Sequence, residues 1–440
     1  MSERNTRWFI MGTLAALVGI PIIVLALVGL PHVVREPLIE SVVVGNTGRS
    51  RIEPSGRQFG ETTQLLTGTP LKPGSRIEIL TNGNETFPRL WRDLHEAQRS
   101  ITVQMYYAKP GLVVDTTFAL LAAASRRGVD VYLLYDAFGG GGLTRESIEA
   151  MRTAGVQTAV FRPIKWYALD RANHRSHVRG VVVDGRVAYS GGFGLDDKWL
   201  GEGRSLAEWR ETNVRFAGPA AQQLQSVFVA KWSEATGRLL ADDRLFPPDA
   251  KPPLDTVNGE SALLHSPPGS GSTVMERLLA LSISGARYHL YITNAYFIPQ
   301  RGLSQLMIAA ARRGVDVRVL TNGSATDVAT TRFAGHRQYT ALLAAGVRIW
   351  EYNPTTVHAK TFVADGVWSS IMTANFDNRS ISYNDEVALV VQGAEIGAKM
   401  DSVFVEDLNF ATEIRELDFR RRPLPMRLAE WLAGLIAGML

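Results

Sequence analysis

Two stretches of this chain pair a histidine with a cation at the same spacing. His358-Ala-Lys360 is followed by Asp365, and His177-Val-Arg179 is followed by Asp184. In both, the basic residue stands two positions after the histidine and the aspartate seven positions after it. A neutral imidazole can attack a phosphodiester and form a covalent phosphohistidine, which divides one hard displacement into two easier ones. A second imidazole, protonated, can supply a proton to the departing alcohol and take one from the incoming alcohol. Arg179 and Lys360 would offset charge growing on the non-bridging oxygens. The pattern therefore points to phosphoryl transfer without a metal.

The surrounding residues say how such groups would be held. Each motif lies in a β-branched, apolar run, Val181–Val183 in one copy and Thr361–Val363 in the other, and each run meets Asp-Gly. Asp-Gly between such runs predicts a tight hairpin. On a strand, residues i and i+2 share a face, so the histidine and the cation project together. The aspartates, at the turns, read as structural groups that bond nearby backbone amides. One His-x-Lys alone would be weak, being more often a solvated strand edge. Two copies in matched settings carry the argument.

The duplication extends beyond the motif. Arg126-Arg-Gly-Val-Asp-Val131 recurs as Arg312-Arg-Gly-Val-Asp-Val317, each closing an alanine-rich helix and opening an apolar strand. Glycine after a basic last turn is a helix stop. The chain reads as two copies of one α/β unit, and a pseudo-twofold arrangement would bring both histidines to one site.

With these residues in view, the chain resembles the phospholipase D superfamily, and most closely the bacterial cardiolipin synthases, from about Ser75 to Asp418. Asn294-Ala-Tyr-Phe-Ile-Pro299, Trp209-Arg-Glu-Thr212, Thr373-Ala-Asn375 and Asn378-Arg-Ser380 belong to the resemblance. It implies an α/β fold of two pseudo-twofold-related α/β/α sandwich domains with mixed sheets, to which residues 8–30 would add an N-terminal transmembrane helix. It also implies a set of site residues. His177, Arg179, Asp184, His358, Lys360 and Asp365 form the two motifs. Glu211 and Glu386 are the carboxylates that orient histidines, with Glu211 at a longer spacing than usual. Gly192, Thr373 and Asn375 fall at the orienting and phosphate-binding positions. Three departures stand out: Arg179 replaces a lysine, Gly194 stands where asparagine is usual, and Met372-Thr373 stands for Gly-Ser. Arginine keeps the charge, but its fork is larger and grips phosphate differently.

The implied activity is a phosphatidyltransferase. One histidine takes a phosphatidyl group from phosphatidylglycerol, and a second phosphatidylglycerol accepts it, with no cofactor and no metal. Which histidine is the nucleophile stays open at this stage. A phospholipase D making phosphatidic acid, or a degenerate membrane scaffold, are the alternatives.

The ends and composition suggest where it works. Residues 8–30 carry no charge, and twenty-three such residues exceed the roughly twenty needed to span a bilayer core. We read 1–35 as an uncleaved anchor, because no small-residue cleavage site follows. Flanking arginines on both sides leave its orientation undecided. The other expected divisions are a linker at 36–74, a first domain at 75–247, a linker at 248–260, a second domain at 261–418 and a basic, amphipathic membrane-associated helix at 419–440. In that last segment Arg420-Arg-Arg422 precedes a face made by Leu424, Leu428, Trp431, Leu432, Leu435, Ile436 and Met439. The chain has no cysteine, so disulfides and cysteine metal sites are excluded. A net charge of +4 without a lysine-rich tract argues against a nucleic-acid partner. Phospholipid substrates and a membrane surface are the expected partners. Gly139–Gly142 lacks the Gly-Lys-Ser/Thr of a phosphate-binding loop and reads as a flexible loop. Tyr106, Tyr107, Trp166, Tyr167, Trp199, Tyr296 and Phe297 read mostly as core, with a minority lining an acyl groove.

Overall fold

A computed structural model of the protein describes residues 19–20, 23, 39–43, 52–163, 174–248, 259–269 and 271–435. Nearly all of the expected anchor, and the aromatics Trp166 and Tyr167, lie outside these residues. No helix among the described residues is long and apolar enough to cross a membrane.

The repeat is visible in the sheets. The first half supplies β1 (Arg76–Thr81), β2 (Ser100–Met105), β3 (Asp130–Asp136), β4 (Gln157–Phe161), β5 (Gly180–Val183), β6 (Val187–Gly191) and β7 (Thr212–Ala217). The second supplies β8 (Glu260–Ser266), β9 (His289–Asn294), β10 (Asp316–Asn322), β11 (Arg348–Tyr352), β12 (Lys360–Ala364), β13 (Trp368–Met372), β14 (Glu386–Gln392) and β15 (Ala411–Glu413). The first sheet runs β1-β7-β6-β5-β2-β3-β4 and the second β15-β11-β10-β9-β12-β13-β14-β8. Read from opposite ends these are one order, with β15 added at an edge. Both sheets are mixed: β2-β3-β4 and β9-β10-β11 are parallel, and the motif hairpins are antiparallel.

Local chemistry sets these elements. Leu112–Arg126 and Arg301–Arg312 are helices that stop at Gly128 and Gly314, with φ of 88° and 92°. Only glycine adopts that conformation cheaply. Asp184-Gly185 and Asp365-Gly366 turn with positive φ at both residues, 55° and 65° in one and 55° and 63° in the other. Positive φ at both central residues is the hairpin turn whose twist matches its strands.

The halves pack through the faces of their sheets. Val181 and Val183 belong to the core of the first half, whereas Val182 between them joins a cluster shared by both halves. Ile79, Ala188 and Val214 meet Val363, Ile371, Val387 and Leu389 in that cluster. The period of two along a strand thus builds a domain core on one face and the interdomain seam on the other.

Two expectations differ from what is seen. The segment 36–74, read as a linker, contains the helix Arg57–Thr67. Its Phe59 is fully buried in the second half's core, 5.0 Å edge-on from Trp368. Gly139–Gly142, read as a flexible loop, is a short 3-10 turn lying on the backbone of residues 106–108. A Cβ on Gly142 would come 2.6 Å from the Ala108 carbonyl oxygen, so close packing, not flexibility, calls for glycine there. At the C-terminus, the helix Leu424–Leu435 lies against the helix Ala329–Ala344. It docks through Glu430, which is buried and bonded to His336 and Arg422. Its Leu424, Leu428, Trp431 and Leu432 face outward and exposed.

Candidate active site

The two motifs converge on the seam, and each is completed by the other half. Just before β5, the amide of His177 donates to the Asp385 carbonyl at 2.9 Å. Just before β12, the amide of His358 donates to the Arg210 carbonyl at 2.7 Å. The residues after these two carbonyls are Glu386 and Glu211. As a result the carboxylates cross over. His177 Nδ1 lies 3.0 Å from Glu386 Oε1, and His358 Nδ1 lies 2.7 Å from Glu211 Oε2. Glu211, expected as the carboxylate of the first half, serves the second half's histidine.

Matched supports stand behind each histidine. The last residue of β3, Asp136, accepts from the Ser176 amide at 3.1 Å. Its counterpart ending β10, Asn322, accepts from the Val357 amide at 2.7 Å. Behind Glu211, the Arg210 guanidinium makes a bidentate pair with Asp407, both bonds at 2.8 Å and both residues buried. Asn82, at φ 61°, accepts from the Glu211 amide at 2.9 Å. A side chain bonded to its own neighbourhood is how asparagine tolerates that conformation.

Arg179 and Lys360 are both buried in the centre. Arg179 donates to the Gly192 carbonyl and, through Nη2, to His177 Nε2 at 3.2 Å. Lys360 donates to the His358 carbonyl. Burial pushes the Lys360 ammonium down to about 7. Burial also lowers both imidazoles, His358 furthest, with Lys360, Arg179 and His177 adding repulsion there. Burial raises the Glu211 carboxyl, opposed by Lys360 and Arg179. The Arg179 Nε and Asn375 Oδ1 atoms are buried without a hydrogen bond among the described residues, a cost that an anionic or donor-bearing ligand would relieve.

The aspartates lie elsewhere. Asp184 accepts from the amides of Gln98, Arg99 and Ser100, and Asp365 from those of Arg287, Tyr288 and His289. Each ties its hairpin to the start of the neighbouring strand, and neither carboxylate bonds His177 or His358.

The expected departure at Gly194 and the glycine at 192 share one structural counterpart. In the second half Thr373 Oγ1 donates to Glu386 Oε2 at 2.5 Å. The first half has glycine at the matching position 192, where a Cβ would collide with Glu211. Trp199 supplies the missing donor: its Nε1 lies 3.3 Å from Glu211 Oε2. The indole needs the room that Gly194 leaves, since a Cβ there would come 2.7 Å from the Trp199 ring. Trp199 also stands edge-on to His358 at 5.4 Å and beneath the Arg179 guanidinium at 5.3 Å. Of the remaining aromatics, Phe297 is core, while Tyr106, Tyr107 and Tyr296 are half-buried. Tyr106 stands edge-on to His177 at 4.9 Å.

Residues 90–232 and 279–408 match the family described as "Cardiolipin synthase, PLD-like domain". The chain belongs to this family. A cardiolipin synthase of Geobacillus kaustophilus is 32% identical over 373 residues, covering 84% of this chain and 74% of that one. One from Staphylococcus aureus is 30% identical over 392 residues, covering 87% and 78%. Among solved structures, a phosphatidylserine synthase of Haemophilus influenzae superposes with a TM-score of 0.66 at 14% identity, covering 87% of this chain and all of the other. At that identity the likeness shows the fold alone.

Proposed function

We propose that the chain is a membrane-anchored phosphatidyltransferase of cardiolipin synthase type, acting through a phosphohistidine. The observation that supports it most is the crossed pair of carboxylate–histidine contacts closed around Arg179 and Lys360. With both imidazoles neutral, these two cations balance Glu211 and Glu386. An arriving phosphodiester adds one negative charge and draws a proton onto an imidazole.

The contacts support one division of roles. A guanidinium has only donors, so the Arg179 bond makes His177 Nε2 an acceptor and leaves its proton on Nδ1, facing Glu386. That tautomer is the one a nucleophile requires. His358, held by Glu211, then serves as acid and base. His177 Nε2 attacks the phosphorus of a phosphatidylglycerol, and the bond to its glycerol oxygen breaks. His358 gives that oxygen its proton and glycerol leaves. The hydroxyl of a second phosphatidylglycerol passes its proton to His358 and attacks, so the phosphorus–nitrogen bond breaks and cardiolipin departs. Arg179 and Lys360 offset the charge on the non-bridging oxygens throughout. The Trp199 bond to Glu211 favours an enzyme over a degenerate scaffold, because it restores the donor that Gly192 lacks.

Residues 8–30 would anchor the protein. The exposed face of Leu424, Leu428, Trp431 and Leu432, with Arg420, Arg421 and Arg427 nearby in the chain, suits an anionic lipid surface. Lipid mass spectrometry on the purified, detergent-solubilised protein with phosphatidylglycerol tests the proposal. Cardiolipin and free glycerol in equal amounts are expected. Phosphatidic acid instead would make it a hydrolase, and no product from any phospholipid would leave a scaffold.

A further inference from the structure

The mechanism above gives no part to Lys198, a cation beside the site. Lys198 sits on the short turn Asp197–Trp199, half-buried. Its Nζ lies 3.7 Å from the centre of the Trp209 ring, 4.0 Å from that of Tyr107 and 4.6 Å from that of Trp199. No carboxylate of the described residues comes within 4.0 Å of it. Asp196 and Asp327 act on it only from farther away, and Lys109 and Arg179 repel it.

This cage adjoins the reacting groups on one side and a cavity on the other. Two of its walls touch His358, Trp209 at 5.0 Å and Trp199 at 5.4 Å between ring centres. The third wall, Tyr107, lines a cavity of 340 Å³ together with Tyr106, Lys109, Phe138 and the turn at Gly139–Gly142. Tyr106 in turn borders His177. The cavity therefore reaches the site along the two tyrosines, with Lys109 on its exposed rim.

Aromatic faces attract an ammonium and fix it in place without neutralising it. A carboxylate partner would cancel the charge, whereas a cage keeps it available to an anion. Burial pushes the ammonium down to about 8, so it is mostly protonated at neutral pH and gains from an incoming negative group. Transfer between two phospholipids needs a second such place. The phosphodiester under attack occupies Arg179 and Lys360, and the acceptor carries a phosphodiester of its own, which like charge keeps away from the first.

We propose that Lys198, caged by Tyr107, Trp199 and Trp209 and flanked by Lys109, is a second anion subsite that takes the acceptor's phosphodiester. The subsite favours an anionic lipid alcohol over a neutral one. This rests on the phosphatidyltransferase reading.

The test is competition between acceptors that share one donor. The full-length protein is given phosphatidylglycerol together with ethanol, and cardiolipin and phosphatidylethanol are counted in the same sample. In Lys198→Met, which keeps the packing of the stem, the ratio of cardiolipin to phosphatidylethanol should fall about tenfold, the scale of one charge-assisted contact. Lys198→Arg should hold the ratio near that of the native protein. Soluble glycerophosphoglycerol, which brings the same phosphodiester without acyl chains, should inhibit cardiolipin formation less in Lys198→Met than in the native protein. A native protein that forms cardiolipin, with an unchanged ratio in Lys198→Met, overturns the subsite alone. A native protein that forms phosphatidylethanol but no cardiolipin overturns the reading beneath it.

Discussion

Glu386 lies 209 residues beyond His177 in the chain, yet its Oε1 sits 3.0 Å from the Nδ1 of that histidine. The reciprocal contact, Glu211 to His358, spans 147 residues. Among the described residues neither His177 nor His358 bonds a carboxylate of its own half, so the site exists only when the two sheets pack face to face. Glu211→Gln should therefore act on His358 and Glu386→Gln on His177. Ring-nitrogen NMR of histidine-labelled protein checks this: each variant should shift the histidine of the opposite half. Turnover should fall about a hundredfold in each, the scale of acid–base participation.

Trp199 and Gly194 act as a unit. Trp199→Phe keeps the ring but loses the donor to Glu211, and cardiolipin formation should slow by about tenfold, as expected for one charge-assisted bond. Gly194→Asn, which introduces the asparagine that the family resemblance implies at this position, should instead lower the melting temperature. Overpacking at a contact of 2.7 Å costs about 1–3 kcal/mol.

Asp365 binds three amides and no catalytic group. Asp365→Ala should destabilise the protein by about 1–3 kcal/mol through the acceptor it removes. Asp365→Asn should recover much of that. In both, turnover below the melting transition should stay within about threefold of native, since the loss is structural. Thermal melting alongside steady-state assays separates the two effects.

Lys360 titrates at about 7 in the free site because burial disfavours its charge. Its cation is present below that pH and lost as pH rises through it. Bound phosphodiester favours the charged form, so binding should weaken progressively above pH 7. The inhibition constant of soluble glycerophosphoglycerol, whose own charge is constant in this range, should rise about tenfold per pH unit at most. Lys360→Arg should remove the part of that rise that begins near pH 7, because arginine stays charged, and leave the part that begins near pH 8 with Lys198.

The motifs, the repeat and the hairpins were legible because they depend on spacing within a few residues. Asp184-Gly185 specifies its turn by itself, and Gly128 stops its helix by itself. Glu211 and Glu386 were recognisable as carboxylates, but not their exchange of partners, which depends on how two sheets stack. Trp199 was hidden among aromatics that read as core, and it is indeed buried. Its signal lay in the pairing of a missing asparagine at 194 with a large residue five positions on. Phe59 was missed because it is the one large apolar side chain that the helix Arg57–Thr67 buries, while its other two, Leu65 and Leu66, are exposed.

The most direct test of the mechanism is to trap the covalent intermediate. Native protein, His177→Ala and His358→Ala would be mixed with a nitrophenyl phosphodiester, quenched in alkali and mapped by peptide mass spectrometry. The nitrophenolate leaves without needing a proton, so loss of the acid is tolerated. The account predicts phosphodiester-modified His177 in the native protein, accumulation of the same adduct in His358→Ala, and none in His177→Ala. An adduct on His358, or transfer without any adduct, would contradict it.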